Sequence, residues 1–232
     1  MNLKAQIKSY RKGLVCKIAK SRLEKERFTI ISNNCWGGEI YRSLNLAYQS
    51  PFVGLLIFAP CYIKLLRDFK SYLSTSLTFI PDSRYEIANQ NREKGTWEQY
   101  PIGLLGGEVE IHFMHYASEA EAREKWDRRA QRISWDEPNS LFFKFCDRDL
   151  CNPNLLEEFD HLELPHKICF TSKQHPNLQS SIWVKEYRNH DCVADGATLY
   201  RVGRKYFDVI DWLNGGSGQI KLAQKMINTV IF

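Results

Sequence analysis

Phe28-Thr29-Ile30-Ile31-Ser32-Asn33-Asn34-Cys35-Trp36-Gly37-Gly38-Glu39-Ile40-Tyr41-Arg42-Ser43-Leu44 is the stretch that decides the fold. Phe28–Ile31 reads as a buried strand, and residues 39–49 place Ile40, Leu44 and Tyr48 on one side of a helix. Between them, Ser32 to Gly38 are small, amide-bearing or glycine apart from Cys35 and Trp36. A strand-to-helix turn of this kind aims backbone N–H groups at a helix N-terminus, where phosphate or another anion is favoured. Gly37 and Gly38 allow close backbone approach to a ligand or positive φ. The competing reading is a tight βα connection with Asn34 as its cap, since no standard Gly-rich fingerprint occurs.

Outward from this stretch the alternation repeats. Phe52–Phe58 is a continuous apolar run, read as a strand covered on both faces. Tyr62–Leu73 has helical spacing, and Leu77–Ile80 reads as another short strand. Residues 81–100 are polar and read as an exposed excursion with a hairpin through Trp97–Tyr100. Val109–Phe113 alternates as a strand, and Ser118 with Glu121 forms a capping box for a helix over 119–132. Leu141–Phe145 and Lys167–Thr171 read as strands around a helix at Leu155–Leu162. Residues 173–205 read as loops and short strands, with helices at Tyr206–Leu213 and Lys221–Val230. This order predicts an α/β fold: Rossmann-like, three-layered, with a mostly parallel sheet.

The basic residues are concentrated at the N-terminus. Residues 1–27 hold nine Lys or Arg against Glu24 and Glu26, a net +7 in a chain of net +5, which leaves the rest at −2. That argues against a broad nucleic-acid-binding face. Leu3, Ile7, Tyr10, Leu14 and Ile18 recur at steps of three and four, giving a basic amphipathic helix. Such a helix can lie on an anionic membrane surface, dock on its own domain or self-associate. The expected organisation is this helix over 1–27 and a single α/β domain over 28–232. No run reaches the ~18 apolar residues of a membrane span, and no secretory signal is visible, so a cytoplasmic protein is expected, peripheral at the inner membrane face if the helix binds lipid. Seven cysteines without a C-x-x-C pair read as free thiols in a reducing compartment.

Three strand ends carry the chemistry: Ser32–Gly38, His112–Ser118 and Asp147–Asp149. In a parallel sheet, sites form beyond the carboxyl ends of strands. Asp147-Arg148-Asp149 offers two carboxylates for a Mg²⁺ or Mn²⁺ ion that would neutralise a diphosphate, or alternatively a turn former or cap. His115, at a strand end beside Tyr116, is placed as a general base, and His112 as a further substrate contact. Arg129 and Arg132, with Trp126, share one helix face; guanidinium forks suit phosphate, and an indole suits a sugar or base. Ser32 or Cys35 in a strand-to-helix elbow is a minor candidate nucleophile.

The order Ile31-Ser32-Asn33-Asn34-Cys35-Trp36-Gly37-Gly38 with Tyr41 resembles the opening signature of a bacterial family with a domain of unknown function. Its members carry the label of exopolysaccharide or capsule biosynthesis proteins. Ser50-Pro51, Val53-Gly54-Leu55, Tyr62-Ile63, Ile111–Tyr116, Trp126, Arg128-Arg129, Arg132-Ile133 and Asn139–Phe142 extend the resemblance over residues 28–172. It brings no assigned catalytic residues. It implies a carbohydrate-related site and a role for the basic helix near lipid-linked saccharides.

Three functions follow as expectations. The first is a transferase moving sugar from a nucleotide-sugar donor to a saccharide or lipid-linked saccharide acceptor. In it, Asn33, Asn34, Gly37 and Gly38 hold phosphate, Asp147 and Asp149 a metal, and Arg129 and Arg132 negative charge, with His115 as base. The second is acyl transfer from acetyl-CoA to a sugar hydroxyl, with Ser32 or Cys35 as nucleophile or His115 as base. The third is non-catalytic saccharide binding, with Trp36, Tyr41, Tyr116 and Trp126 as stacking faces.

Overall fold

Strand side chains alternate between the two faces of a sheet, and the apolar runs of this chain bury both faces. The structure is a computed structural model that describes residues 3–220. The first part contains α1 (Leu3–Arg22), β1 (Thr29–Ser32), α2 (Trp36–Ser43), α3 (Ala59–Arg67) and α4 (Phe69–Leu73). The middle contains β2 (Leu77–Ile80), α5 (Glu86–Glu93), β3 (Ile102–Leu105), β4 (Val109–His112) and α6 (Glu119–Ala130). There follow β5 (Leu141–Cys146), α7 (Pro153–His161), β6 (Lys167–Thr171), β7 (Ser181–Trp183), α8 (Gly196–Gly203) and α9 (Val209–Leu213). The predicted helix at Lys221–Val230 lies outside the described residues.

A four-stranded sheet in the order β1-β5-β6-β7 is parallel throughout. Ile30, Phe142, Ile168 and Phe170 pack on one face with Trp36 and Ile40 of α2, Leu199 of α8 and Trp212 of α9. Ile31, Phe143, Phe145 and Cys169 pack on the other with Leu66 of α3 and Phe159 of α7. This is the expected three-layer α/β arrangement. A second sheet, β2-β3-β4, is antiparallel and packs on that second face through Leu77, Leu105, Val109 and Ile111. Leu77–Ile80 and Val109–Phe113 thus serve this smaller sheet and not the parallel one. Positive φ at Gly106 (61°) and Gly107 (72°) makes the β3–β4 turn.

The apolar run Phe52–Phe58 is extended and buried but joins neither sheet, pairing only through a Leu56–His112 bridge. Gly54, at φ 75°, breaks the pleat. Its backbone bonds go in several directions: Leu56 N–H to His112 O (2.9 Å), Ile57 N–H to Asn33 O (2.8 Å) and Ala59 N–H to Asp149 O (2.8 Å). The open edge of β1 is satisfied by hydroxyls at Ile30, where Ser50 donates to the carbonyl and Tyr41 accepts from the N–H at 3.2 Å, while Tyr62 bridges Ile31 O (2.9 Å) and Lys144 O (3.0 Å) across β1 and β5.

Other boundaries shift for local reasons. The expected 39–49 helix starts earlier, at Trp36, and ends at Ser43. The expected 62–73 helix is broken at Asp68, whose φ of −140° is not helical. In place of the Trp97–Tyr100 hairpin, the 81–100 excursion holds α5, anchored by buried Ala88. Residues 173–205 also contain α8, capped by Asp195 accepting from Thr198 N–H at 2.9 Å. The Ser118 cap of α6 is present, accepting from Glu121 N–H at 3.2 Å. At its C-terminal end α1 is tied to the body: Arg22 pairs with Asp208, and Asn214 donates to Arg22 O (2.7 Å). Further along α1, Tyr10 is 76% exposed and Leu14 45% exposed.

Gly196 opens α8 directly against the start of α2, where a Cβ would stand 2.5 Å from Trp36 N and 2.9 Å from Asn34 Oδ1. Backbone cannot yield as a side-chain tip can. Gly196→Ala is therefore expected to destabilise by ~1–3 kcal/mol in urea unfolding; an unchanged midpoint would contradict this packing.

Candidate functional site

The carboxyl ends of β1 and β5 lie side by side, Ser32 opposite Lys144 in register. Lys144 occupies the same face of β5 as Phe142 and Cys146 and is fully buried. Its ammonium donates to Asn33 Oδ1 (3.1 Å) and Asn34 Oδ1 (3.0 Å) and lies 3.3 Å from Cys146 Sγ. The amide nitrogens of the same asparagines donate to Asp149 Oδ2 at 3.2 and 3.3 Å. Each amide thus presents oxygen to the cation and N–H to the carboxylate, relaying one charge to the other through two neutral groups. Burial pushes the Asp149 carboxyl upward, while the Lys144 charge and the Asn34 hydrogen bond work against that rise. Asp149 and Leu150 both hold positive φ, 63° and 64°, a strained pair without glycine that the surroundings enforce.

Asn33 and Asn34, expected to hold phosphate, are instead buried with both ends of their amides spent on Lys144 and Asp149, and sequence reasoning missed Lys144 and Cys146. The signal was a lysine inside Leu141-Phe142-Phe143-Lys144-Phe145, since a fully buried lysine requires compensating partners.

Ser32, Trp36 and Gly37 need correction, whereas half-buried Gly38 lines the cavity described below. Gly37 and Gly38 lie inside the first turn of α2, where a Cβ would stand 2.9 Å from Ile30 Cγ2 and 3.2 Å from Val53 Cγ1 respectively. They are glycines because a helix packs closely on a strand, and Gly37 is buried away from any ligand. Trp36 is 1% exposed among Phe170, Tyr200 and Trp212, so it is core. Ser32 is fully buried. Asn34 does serve the connection, its Oδ1 accepting from Trp36 N–H at 3.3 Å.

Cys35 is the part of this turn that remains open, and it lines a cavity of about 330 Å³. α2 contributes Gly38, Glu39 and Arg42; the other walls are Tyr48, Val53, Gly54, His115, Tyr116, Lys125 and Arg129. Arg129 donates to Tyr116 Oη (2.8 Å), and Tyr116 in turn donates to Val53 O (2.6 Å). The Arg129 guanidinium stacks 5.0 Å over the Tyr48 ring, and among the described residues it has no carboxylate at ion-pair distance. Arg42 pairs with Glu39, and Lys125 with Glu121 while lying 5.5 Å over Tyr116. Three cations and one carboxylate therefore line the cavity. His115 is exposed at it, held through its N–H to Gly54 O at 3.3 Å. The Cys35 thiol is pushed up to about 11 by burial and by the Glu39 and Asp195 charges, so it is protonated near neutral pH.

Other expected residues are placed elsewhere. His112 is fully buried in the second sheet, its ring 2.9 Å from Glu110 Oε1 and 3.2 Å from Tyr100 Oη. Burial opposes ionisation of Glu110, but His112, Ser83 and the Arg84 N–H together hold its carboxyl below the usual range. Trp126 is core against Phe52 and Phe113. Tyr41, also expected to stack on sugar, is fully buried, and Tyr116 is 6% exposed. Arg132 points away from Arg129's cavity, donating to Tyr48 O. Asp147 staples loops by accepting from Ser172 N–H (2.6 Å) and Val193 N–H (2.9 Å). It therefore faces different partners from Asp149, and among the described residues no group of three or more His, Cys, Asp or Glu is placed to hold a metal.

The parallel four-stranded sheet with helices and a small antiparallel sheet around it defines a mixed α/β protein. The chain belongs to the family described as "Domain of unknown function (DUF1919)", whose pattern matches residues 6–214. That match takes in most of α1 as well as the body. An "Uncharacterized protein" of Haemophilus influenzae strain Rd is 30% identical over 215 residues, covering 91% of this chain and 94% of its own length.

Asp149, its carboxyl raised on folding, favours the fold most when protonated, and that contribution is lost as pH rises through its folded value. Removing the Lys144 cation worsens this at higher pH. Lys144→Met is expected to cost ~3–5 kcal/mol at pH 8 and clearly less at pH 4. Equal losses in urea unfolding at both pH values would contradict the charge relay.

Proposed function

We propose that this protein is a transferase of bacterial surface-polysaccharide assembly that moves a sugar from a nucleotide-sugar donor. The observation that carries the reading is the cavity where Arg42, Lys125 and Arg129 meet an exposed His115. Fixed cations in a partly buried cleft stabilise a departing diphosphate as its charge develops. His115 takes the proton of the acceptor hydroxyl while that oxygen bonds the anomeric carbon and the bond to the diphosphate breaks. Asp149 is held by Asn33 and Asn34 in the buried cage after β1 and β5 and is not among the residues that line this cavity. The likeness of the motif order to proteins labelled exopolysaccharide or capsule biosynthesis supplies the substrate class.

Two other readings have less support. Acyl transfer through Cys35 or Ser32 meets a protonated thiol and a fully buried hydroxyl. Pure saccharide binding loses its stacking faces, since Trp36, Tyr41 and Trp126 are core.

A nucleotide-sugar panel read by thermal shift finds the donor by mass action. With that donor, His115→Ala is expected to lower kcat by ~10²–10⁴ while the thermal shift persists. Arg42→Gln with Lys125→Gln is expected to weaken donor binding ~10–100-fold. Running the assay in EDTA and in Mn²⁺ reads any cation contribution through Asp149. Stabilisation by acetyl-CoA alone, or undiminished turnover in His115→Ala, would sink the proposal.

The reading also places the protein at the inner face of the membrane. No helix among the described residues is long and apolar enough to cross a bilayer. α1 instead presents exposed Tyr10 and Leu14 in a segment of net +7, which matches an anionic surface. Full-length protein is expected to float with phosphatidylglycerol vesicles and Tyr10→Ser/Leu14→Ser to remain largely unbound. Equal flotation of the two would refute the surface role.

A further inference from the structure

A second cavity, of about 490 Å³, opens at the other end of the parallel sheet, where β1 and β5 begin. Its polar walls are Arg27, Gln49, Gln131, Arg132, Ser134 and Ser140. None of its lining residues is acidic. Arg27 has no ion-pair or hydrogen-bond partner among the described residues, and Arg132 gives one N–H to Tyr48 O. The buried Ser140 Oγ likewise has no protein partner among them. Gln49 spends its N–H on Glu26 O (2.7 Å), which leaves its carbonyl oxygen to the cavity.

This cavity and the first share a wall. The Tyr48 ring faces Arg129 in the first cavity, while Tyr48 O accepts from Arg132 and its neighbours Ala47 and Gln49 line the second. The last turn of α6 and the residues after it therefore present one arginine to each side of a single tyrosine.

We propose that the second cavity binds a phosphate ester, with Arg27 and Arg132 on the phosphate. Two guanidinium forks without carboxylate partners match a dianion bidentately. Gln131 and Gln49 suit the hydroxyls of an attached sugar, and the volume lies within the ~300–1,000 Å³ range of small-ligand sites. Its role as the seat of a phosphate-bearing acceptor rests on the sugar-transfer reading; the binding itself does not. The phosphate has two sources with the same chemistry, a soluble sugar phosphate or a lipid headgroup.

The test uses full-length protein. Calorimetric titration with glucose 1-phosphate and with pyrophosphate forms the soluble arm, and titration with short-chain phosphatidic acid below its micelle concentration, which offers the headgroup without an anionic surface, the lipid arm. Arg27 has no partner among the described residues, so Arg27→Gln is expected to leave the melting temperature unchanged. It should weaken at least one arm ~10–100-fold, with partial recovery in Arg27→Lys. The arm that responds names the source. Arg42→Gln, in the first cavity, should leave that response intact. Wild-type affinity of Arg27→Gln in both arms, or no binding by wild type in either, overturns the proposal. Loss of nucleotide-sugar binding in Arg42→Gln but not in Arg27→Gln separates this outcome from failure of the transferase reading.

Discussion

The extended segment from Val53 to Ala59 is the constraint on which the structure depends. Its backbone has no sheet of its own, so its buried polar groups must be satisfied one by one. Val53 O takes the Tyr116 hydroxyl, Gly54 O the His115 N–H, Leu56 bridges His112, Ile57 N–H reaches Asn33 O, and Ala59 N–H reaches Asp149 O. One strand-length of chain thereby fixes the turn after β1, the turn after β5 and the end of the antiparallel sheet. Val53, Gly54, His115 and Tyr116, four of the walls of the first cavity, are held in place by these bonds. Only glycine serves at position 54, where φ is 75° and a Cβ would stand 3.3 Å from the Tyr116 ring and 3.4 Å from His115 Cβ.

The Lys144 cage shows what the protein maintains at its centre. Taking an ammonium and a carboxylate out of water costs several kcal/mol per ion, and the mutual attraction offsets this only with good hydrogen bonding. Asn33 and Asn34 supply it by turning their two ends to opposite charges. Next to this cage Asp149 and Leu150 hold left-handed conformations. An apolar replacement would fill the same space without the desolvation cost, so the cage adds polar specificity to this strand end at the expense of simpler packing. The fully buried Glu110–His112 contact is different in kind: it lies in the second sheet, away from any cavity, and its partners Ser83 and Tyr100 make it a polar tie within the fold.

Tyr48 gives the two cavities a common geometry. Its ring, its carbonyl and its neighbours meet both arginines at the end of α6, and the cavities lie at opposite ends of the same strands.

Much of the fold was legible because it obeys local rules. The apolar strands 28–31, 141–145 and 167–171, the Ser118 cap and the parallel α/β class follow from period, composition and capping chemistry, which act over a few residues. Phe52–Phe58 was misread because an apolar run reports burial, not pairing. The glycine at 37 was misread because close packing and ligand approach demand the same residue. Trp36 and Trp126 were assigned to a surface because their types suit sugar, while burial was set by partners such as Phe170 and Phe52 far along the chain. Lys144, Asn33, Asn34 and Asp149 meet only after β1 and β5 pair, across more than a hundred residues. By itself the sequence determined the layers, the basic helix and the polar strand ends. Tertiary structure decided which of those ends share a space, because contacts between distant segments depend on strand order and backbone hydrogen bonding that no local pattern encodes.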